Sequence, residues 1–267
     1  DGQSFAGPKS STGQESMVAA GTGRAEQQCH RAIVTHDDGL DVDQRLTSIL
    51  TESPDSTPGK TQRLQTPDGL RPAIMIKDFL THSECERLIG CSMCHGYTPA
   101  TVGQSDGSQQ IQRERRRTSR WMCDSPHASQ VLYERLKPVL QHQDLENGPR
   151  GGWRRSCGLN ARLRFLKYAP GDYFRQHQDE RYEVPVGQPK EGDTSLMTLM
   201  LYLNEPTEGG ETNFLCAGGG QGMSVKPTTG LALLFDHDHL HEGVTLVSGS
   251  KVCIRTDLMY TRRPPER

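Results

Sequence analysis

Long apolar runs are missing from this sequence: nothing approaches the roughly 18 consecutive apolar residues that a membrane span requires. Hydrophobic residues make up only 33% of the chain and aromatics 6%. With a mean hydropathy of -0.70, that is sparse for a chain packed throughout, so part of it is expected to stay unpacked. An excess of one charge is missing too. The 31 Lys and Arg against 33 Asp and Glu leave a formal net charge of -2, and nothing in that balance calls for nucleic acid or an anionic membrane surface as a partner. The first residues, Asp1 to Arg24, lack the basic-then-apolar order of a secretory leader. Cysteine is present but scattered: Cys29, Cys85, Cys91, Cys94, Cys123, Cys157, Cys216 and Cys253. A chain of 267 residues does not need disulfides to hold its core, and several of these cysteines fall inside apolar patterns. They read as free thiols, which favours a reducing, intracellular compartment. No internal repeat occurs, and nothing in the sequence specifies an oligomeric state.

Composition divides the chain at about residue 70. Residues 1–70 are rich in Ser, Gly, Thr, Gln and Asp, and Ser53-Pro54-Asp55-Ser56-Thr57-Pro58-Gly59 has linker chemistry. This extension is expected to be disordered or loosely docked, with a turn or two of amphipathic helix at Val42 to Leu50. The ordered domain is expected over 71–267. Ala73 to Ile76 is a short strand candidate. Thr81 or Ser83 can cap a helix whose stripe is Cys85, Leu88 and Ile89. A second helix fits Pro126 to Leu140, with Pro138 positioned to end or kink it. From Gly158 the pattern turns to strands. Leu159, Ala161, Leu163 and Phe165 alternate with Asn160, Arg162 and Arg164, and further strands fit Thr198 to Leu203, Gly230 to Phe235 and Lys251 to Tyr260. Strands separated by Gly-rich turns, with helices flanking, indicate a mostly β sandwich or barrel.

The chemistry concentrates in Tyr168-Ala169-Pro170-Gly171-Asp172-Tyr173-Phe174-Arg175-Gln176-His177-Gln178-Asp179. Residues two apart on extended chain point to one side, so His177 and Asp179 can chelate one ion. A third ligand is available from Phe235-Asp236-His237-Asp238-His239-Leu240-His241-Glu242-Gly243, where His237, His239 and His241 all qualify. Two histidines and one carboxylate leave open positions on an octahedral ion, as a non-haem Fe(II) with a cosubstrate and dioxygen requires. Ligation without cysteine argues against structural zinc. An isolated His-x-Asp is usually surface decoration. Here an apolar strand precedes the second histidine cluster, and a cation-bearing strand follows it.

These residues resemble the prolyl 4-hydroxylase-like group of 2-oxoglutarate- and Fe(II)-dependent oxygenases, over about Ala73 to Thr261. The matching pieces come in the family's order: Phe79-Leu80 with Glu84-Cys85, Tyr168-x-Pro-Gly before His177-x-Asp179, and Tyr202-Leu203-Asn204. They continue with Gly209-Gly210-Glu211-Thr212-x-Phe214, Pro227-x-x-Gly230 before Phe235, and His241 with Lys251 ten residues on. The resemblance implies a double-stranded β-helix, a jelly-roll core. It implies His177, Asp179 and His241 as iron ligands, His241 being chosen because only it also places the cation. It further implies dioxygen and 2-oxoglutarate as cosubstrates, with 2-oxoglutarate decarboxylated to succinate and CO2. The coupled step is hydroxylation of a prolyl residue or another unactivated C–H, and L-ascorbate would sustain the iron. A free amino acid or natural product as substrate, or a jelly-roll binding module without catalysis, are the rival readings. The family position of the cosubstrate cation falls on Lys251. Arg255, four residues along the same face, offers a bidentate fork instead, or a salt bridge with Asp257. Tyr168 is expected to offer its hydroxyl to the cosubstrate, and Thr198 is a further candidate for the same role.

Substrate contacts are harder to read. Asn160, Arg162 and Arg164 share a face with Tyr168, so substrate carboxylate recognition and internal ion pairs are both open to them. The basic stretch Arg113 to Trp121 is by default a solvated loop; the resemblance implies that this region enters the substrate cleft, which makes Arg120 and Trp121 candidates for lining it. The loops 98–120 and 181–195 are expected to choose the substrate. Cys91-Ser92-Met93-Cys94-His95 spells a c-type haem attachment site but has no other support in the sequence.

Overall fold

A computed structural model of the chain describes residues 39–52, 59–103, 108–149, 154–216 and 221–262. Of the segment expected to be loose, 1–70, residues 1–38 and 53–58 lie outside the described residues, the latter covering most of the expected linker. Among the described residues, three helices, α1 (Val42–Thr51), α2 (His82–Cys94) and α3 (Pro126–His142), flank two principal antiparallel sheets. The principal strands are β1 (Thr61–Arg63), β2 (Ala73–Ile76), β3 (Ser119–Asp124), β4 (Arg154–Leu159), β5 (Arg162–Tyr168) and β6 (Tyr173–His177). They continue as β7 (Thr194–Tyr202), β8 (Thr212–Leu215), β9 (Gln221–Val225), β10 (Ala232–Asp236), β11 (His241–Gly243) and β12 (Lys251–Arg262).

The larger sheet runs β1-β2-β10-β7-β12-β5-β3 and ends on Thr98–Pro99, with β4 paired to the far half of β12. The smaller sheet runs β9-β8-β11-β6 and ends on Arg116–Arg117. This is the jelly-roll arrangement of two facing antiparallel sheets. Strand alternation sorts the larger sheet into two faces. Leu163, Phe165, Leu199, Leu201, Leu234, Val252 and Ile254 join one core with the helices. Leu166, Tyr168, Tyr202, Leu233, Phe235 and Cys253 join a second core with Phe214 of the smaller sheet. On β12 the second face carries Lys251, Cys253, Arg255 and Asp257, so these polar groups are turned into the molecule.

The helices are fixed by local chemistry. Thr81 caps α2: its Oγ accepts from the Glu84 amide at 3.2 Å, while the Glu84 carboxylate accepts from the Thr81 amide at 2.8 Å. Pro138 does not end α3, which continues to His142. Pro138 and Glu134, whose carbonyl loses its partner, both lie on the exposed face, where solvent serves in its place. Leu46, Ile49 and Leu50 of α1 are at most 4% exposed and belong to the main core, so residues 42–51 form part of the packed domain although their composition resembles the tail's. The reading of 158–165 as a single strand needs correction. The chain breaks at Asn160–Ala161, and β4 and β5 pair with different halves of β12.

A carboxylate of α1 also caps α3. Ser125, at the N-cap of α3, makes no capping bond with its own side chain. Asp43 takes that place: it accepts from Ser125 Oγ at 2.5 Å and from the His127 amide at 3.2 Å. Burial works against its charge, but these donors and His127 outweigh it and hold the carboxyl below its ordinary value. A lowered folded value means the stabilisation is complete above the unfolded carboxylate range, near about pH 4, and is lost as pH falls through the folded value. Asp43→Ala is expected to cost about 1–2 kcal/mol at neutral pH. Thermal melts at pH 7 and pH 3 test this, the difference from the native protein shrinking at the lower pH.

Candidate metal and cosubstrate site

His177 ends β6 and His241 begins β11, and the two are direct cross-strand partners. A register shift in β6 between Phe174 and His177 re-aims the strand end, as bulges do, and Phe174 stacks on the His177 ring at 3.5 Å. Two residues on, the Asp179 amide donates to the His237 carbonyl at 3.1 Å, which turns its carboxylate back between the imidazoles. Ligand atoms of His177, Asp179 and His241 all lie within 4.8 Å of one another. His177 Nδ1 donates to the Arg175 carbonyl at 2.7 Å and His241 Nδ1 to the His239 carbonyl at 3.0 Å. A carbonyl can only accept, so these bonds put the protons on Nδ1 and leave both Nε2 lone pairs bare. The two Nε2 atoms sit 3.7 and 3.9 Å from Asp179 oxygens, the donor set of a two-histidine, one-carboxylate metal centre with oriented imidazoles.

The electrostatics agree. Burial, reinforced by His241, pushes His177 down to about 3, so its ring is neutral. Burial alone would protonate Asp179, but Arg255 and the surrounding imidazoles hold its carboxyl far below the usual range. Arg255 Nη2 lies 3.1 Å from Asp179 Oδ1 and 3.2 Å from Asp257 Oδ1. Thr198 Oγ donates to the other Asp179 oxygen at 2.5 Å. Thr198 therefore orients the carboxylate, and it does not line the cavity, contrary to its expected cosubstrate role. His237 and His239 are not in the cluster, and neither is solvent-exposed: His237 is fully buried near Asp257, and His239 meets the Arg71 carbonyl at 3.2 Å.

A cavity of about 400 Å3 opens above these residues. On its inner wall Lys251 is paired across strands with Tyr168, and its ammonium sits 4.6 Å over the Tyr168 ring and 5.7 Å over that of Tyr202. Lys251 is 3% exposed. It donates to the Gly210 carbonyl at 2.6 Å, and no carboxylate among the described residues lies within salt-bridge distance of it. Burial pushes the amine down from its ordinary value, with Cys253 and Glu211 opposing it. Gly210 has φ +79, and a Cβ there would crowd Lys251 and Leu246 at 3.3 and 3.2 Å. Glycine is needed both for the left-handed turn and for this approach.

The substrate candidates divide. Arg164 lines the cavity and pairs with Asp257 at 3.1 Å. Asn160 donates to Asp257 at 3.4 Å but does not reach the cavity. Arg162 lies outside, half-exposed and bonded to Asp124 at 2.9 Å. Trp121 is also turned away: it stacks on His95 at 4.5 Å and packs on Phe165 at 4.8 Å, because strand alternation sends it to the helix side. Its neighbour Arg120 faces the cavity instead, as does Arg116, which the sequence reading did not single out. The available signal was the two-residue spacing of Arg116, Thr118 and Arg120, hidden because the chain crosses from the smaller to the larger sheet there. Cys91 and Cys94 lie on α2, remote from the cavity lining, and Cys85, Cys94, Cys123 and Cys253 carry free thiols.

A jelly roll with two histidines and a carboxylate at its open end defines a class of mononuclear non-haem metal protein. Residues 163–256 match the sequence model of the 2OG-Fe(II) oxygenase superfamily. Prolyl 4-hydroxylase 1 of Arabidopsis thaliana is 27% identical over 199 residues, 67% of this chain and 65% of the relative, so the chain spans slightly less than two thirds of that protein's length. Among solved structures, the viral collagen prolyl hydroxylase of Paramecium bursaria Chlorella virus-1, bound to 2-oxoglutarate, aligns with TM-score 0.50 at 21% identity, over 73% of this chain and 98% of its own. A prolyl hydroxylase from Trichoplax adhaerens, in complex with a hypoxia-inducible-factor peptide fragment, aligns with TM-score 0.50 at 14% identity, over 86% and 95%. The chain is thus similar to the 2OG-Fe(II) oxygenase superfamily over 163–256 and, at 27% identity, to a prolyl 4-hydroxylase.

Proposed function

We propose that the protein is a 2-oxoglutarate- and Fe(II)-dependent dioxygenase that hydroxylates a prolyl residue or another unactivated C–H. The observation that carries this is the His177–Asp179–His241 cluster at the base of a cavity whose wall holds the uncompensated cation Lys251. When bound, Fe(II) supplies the redox chemistry by which dioxygen decarboxylates 2-oxoglutarate to succinate and CO2 and delivers one oxygen atom to the substrate. The protein's part is positioning. His177 and His241 present neutral Nε2 donors, and Arg255 and Thr198 hold Asp179 ionised and oriented. Lys251 meets the far carboxylate of the cosubstrate, with the Tyr168 hydroxyl beside it. Arg255 is already committed to Asp179 and Asp257, which supports Lys251 as the anchor. The burial of Lys251, Tyr168 and Asp179 strengthens each of these charge interactions.

Anaerobically purified protein given Fe(II), 2-oxoglutarate and oxygen is expected to release succinate slowly without substrate and faster with a prolyl peptide that gains one oxygen in mass. L-ascorbate is expected to prolong the substrate-free reaction. Absence of succinate under these conditions would overturn the reading.

A further inference from the structure

Two partly buried arginines of the cavity, Arg116 and Arg120, form no ion pair among the described residues. Arg116 closes the end of the smaller sheet, and its guanidinium lies 4.4 Å above the Phe174 ring, the ring that stacks on His177. Its Nε is enclosed and finds no hydrogen-bond partner. Stacking occupies the face of a guanidinium and leaves its in-plane donors free. Arg120 donates to Thr101 Oγ at 2.6 Å. Among the described residues, neither arginine has a carboxylate within salt-bridge distance. Burial lowers Arg116, with Tyr168 and Asp179 opposing it and Arg255 and Arg120 adding to it; burial and then Arg164 lower Arg120. Both nonetheless remain protonated, as arginine does in proteins.

Of the other cations lining the cavity, Arg115 is exposed to solvent and Arg181 pairs with Asp238 at 3.0 Å. Arg164 and Arg255 have Asp257, and Arg255 also has Asp179. On the reading above, Lys251 takes one carboxylate of 2-oxoglutarate and the metal takes the other end. Among the described residues, Arg116 and Arg120 therefore form no ion pair, even with metal and cosubstrate in place. Holding two adjacent like charges in a partly buried site costs free energy, and an incoming anion relieves that cost. Their position beside Phe174 and His177 puts that anion next to the reacting centre.

We propose that Arg116 and Arg120 form a subsite that binds a carboxylate of the substrate, so that the enzyme selects acidic substrates. The planar guanidinium fork suits a carboxylate. This inference rests on the oxygenase reading and adds the chemical class of the substrate to it. The carboxylate has two possible sources, an acidic side chain near the target residue of a peptide or the main-chain carboxylate of a free amino acid.

The test is calorimetric titration of the full chain, loaded with Mn(II) and 2-oxoglutarate without oxygen. The probes are end-blocked prolyl peptides flanked by Glu, the same peptides with Gln, and free proline against its amide. Charged probes are expected to bind about tenfold or more tightly than their neutral partners. Preference confined to the peptides assigns a side-chain carboxylate, and preference confined to proline assigns the main-chain one. In Arg116→Gln and Arg120→Gln the preference is expected to collapse, with 2-oxoglutarate binding changed less than about twofold. Equal binding of charged and neutral probes to the native protein overturns the proposal. So does a preference that survives the double substitution, or a loss in Arg116→Gln that falls on 2-oxoglutarate. Arg120 is more exposed than the buried core, so Arg120→Gln carries the test if Arg116→Gln does not fold. Failure of the oxygenase reading is seen separately, as a native protein that makes no succinate.

Discussion

Changing His177 to alanine is expected to lower succinate formation by at least a hundredfold while leaving the fold intact. The estimate is conservative, since losing only the outer partner of a metal ligand typically costs about 10–100-fold. His177 stands at the end of β6, and its Nδ1–H is already committed to the Arg175 carbonyl, so its one remaining role is the Nε2 donor. Burial has displaced the ring from its charged form, which means its removal relieves a desolvated group and breaks no ion pair with a charged imidazole. Succinate assays and melting curves on the same preparation separate the two effects. His239 serves as the control. It lies two residues from His241 but faces the Arg71 carbonyl and the edge of Phe214. His239→Ala is expected to keep most of the activity, and a greater loss there than at His177 would reassign the ligand set.

The second large effect separates Lys251 from Arg255. Lys251→Ala removes the buried cation that faces the cavity without a protein carboxylate. Truncating one member of a buried charge pair costs about 2–5 kcal/mol, so the apparent KM for 2-oxoglutarate is expected to rise by about thirtyfold or more, with stability little changed. Arg255→Ala acts on the protein instead. It leaves Asp179 and Asp257, both nearly fully buried, without their shared counter-ion, and breaking such a pair costs about 3–5 kcal/mol. A marked fall in Tm at moderate change in KM is the expected signature. Steady-state titration of 2-oxoglutarate beside thermal melts checks both, and the opposite ranking in KM would make Arg255 the anchor.

Much of this was legible in the sequence because strand periodicity is a local property. The alternation of Lys251, Cys253, Arg255 and Asp257 with Val252 and Ile254 specifies two faces whichever strands lie alongside, and β12 has those two faces. The same rule failed at 158–165, where the alternation continues through a break at Asn160–Ala161 that depends on pairing to two halves of β12. It failed differently at Trp121: the basic stretch that precedes it carries no apolar alternation, and which side of the strand faces the cavity is decided by the partner strand. Helix α1 shows the limit of composition. Its polar surroundings resemble the tail that precedes it, yet three apolar residues and one capping carboxylate dock it to the domain.

By itself the sequence indicated most of the principal elements and their order, the His-x-Asp pair with a distant histidine as candidate ligands, and the inward face of the last strand. These follow from residue spacing along one strand, which is covalent geometry. Only the tertiary structure decided which of three histidines joins the cluster and which of two cations is free for a cosubstrate. It alone decided that Thr198 serves Asp179, and that Arg116 and Arg120 face the cavity while Arg162 and Trp121 do not. Those choices depend on which charges end up within a few ångströms of one another across strands distant in sequence. In a partly desolvated interior that proximity determines whether a charge is neutralised within the protein or left to meet a ligand.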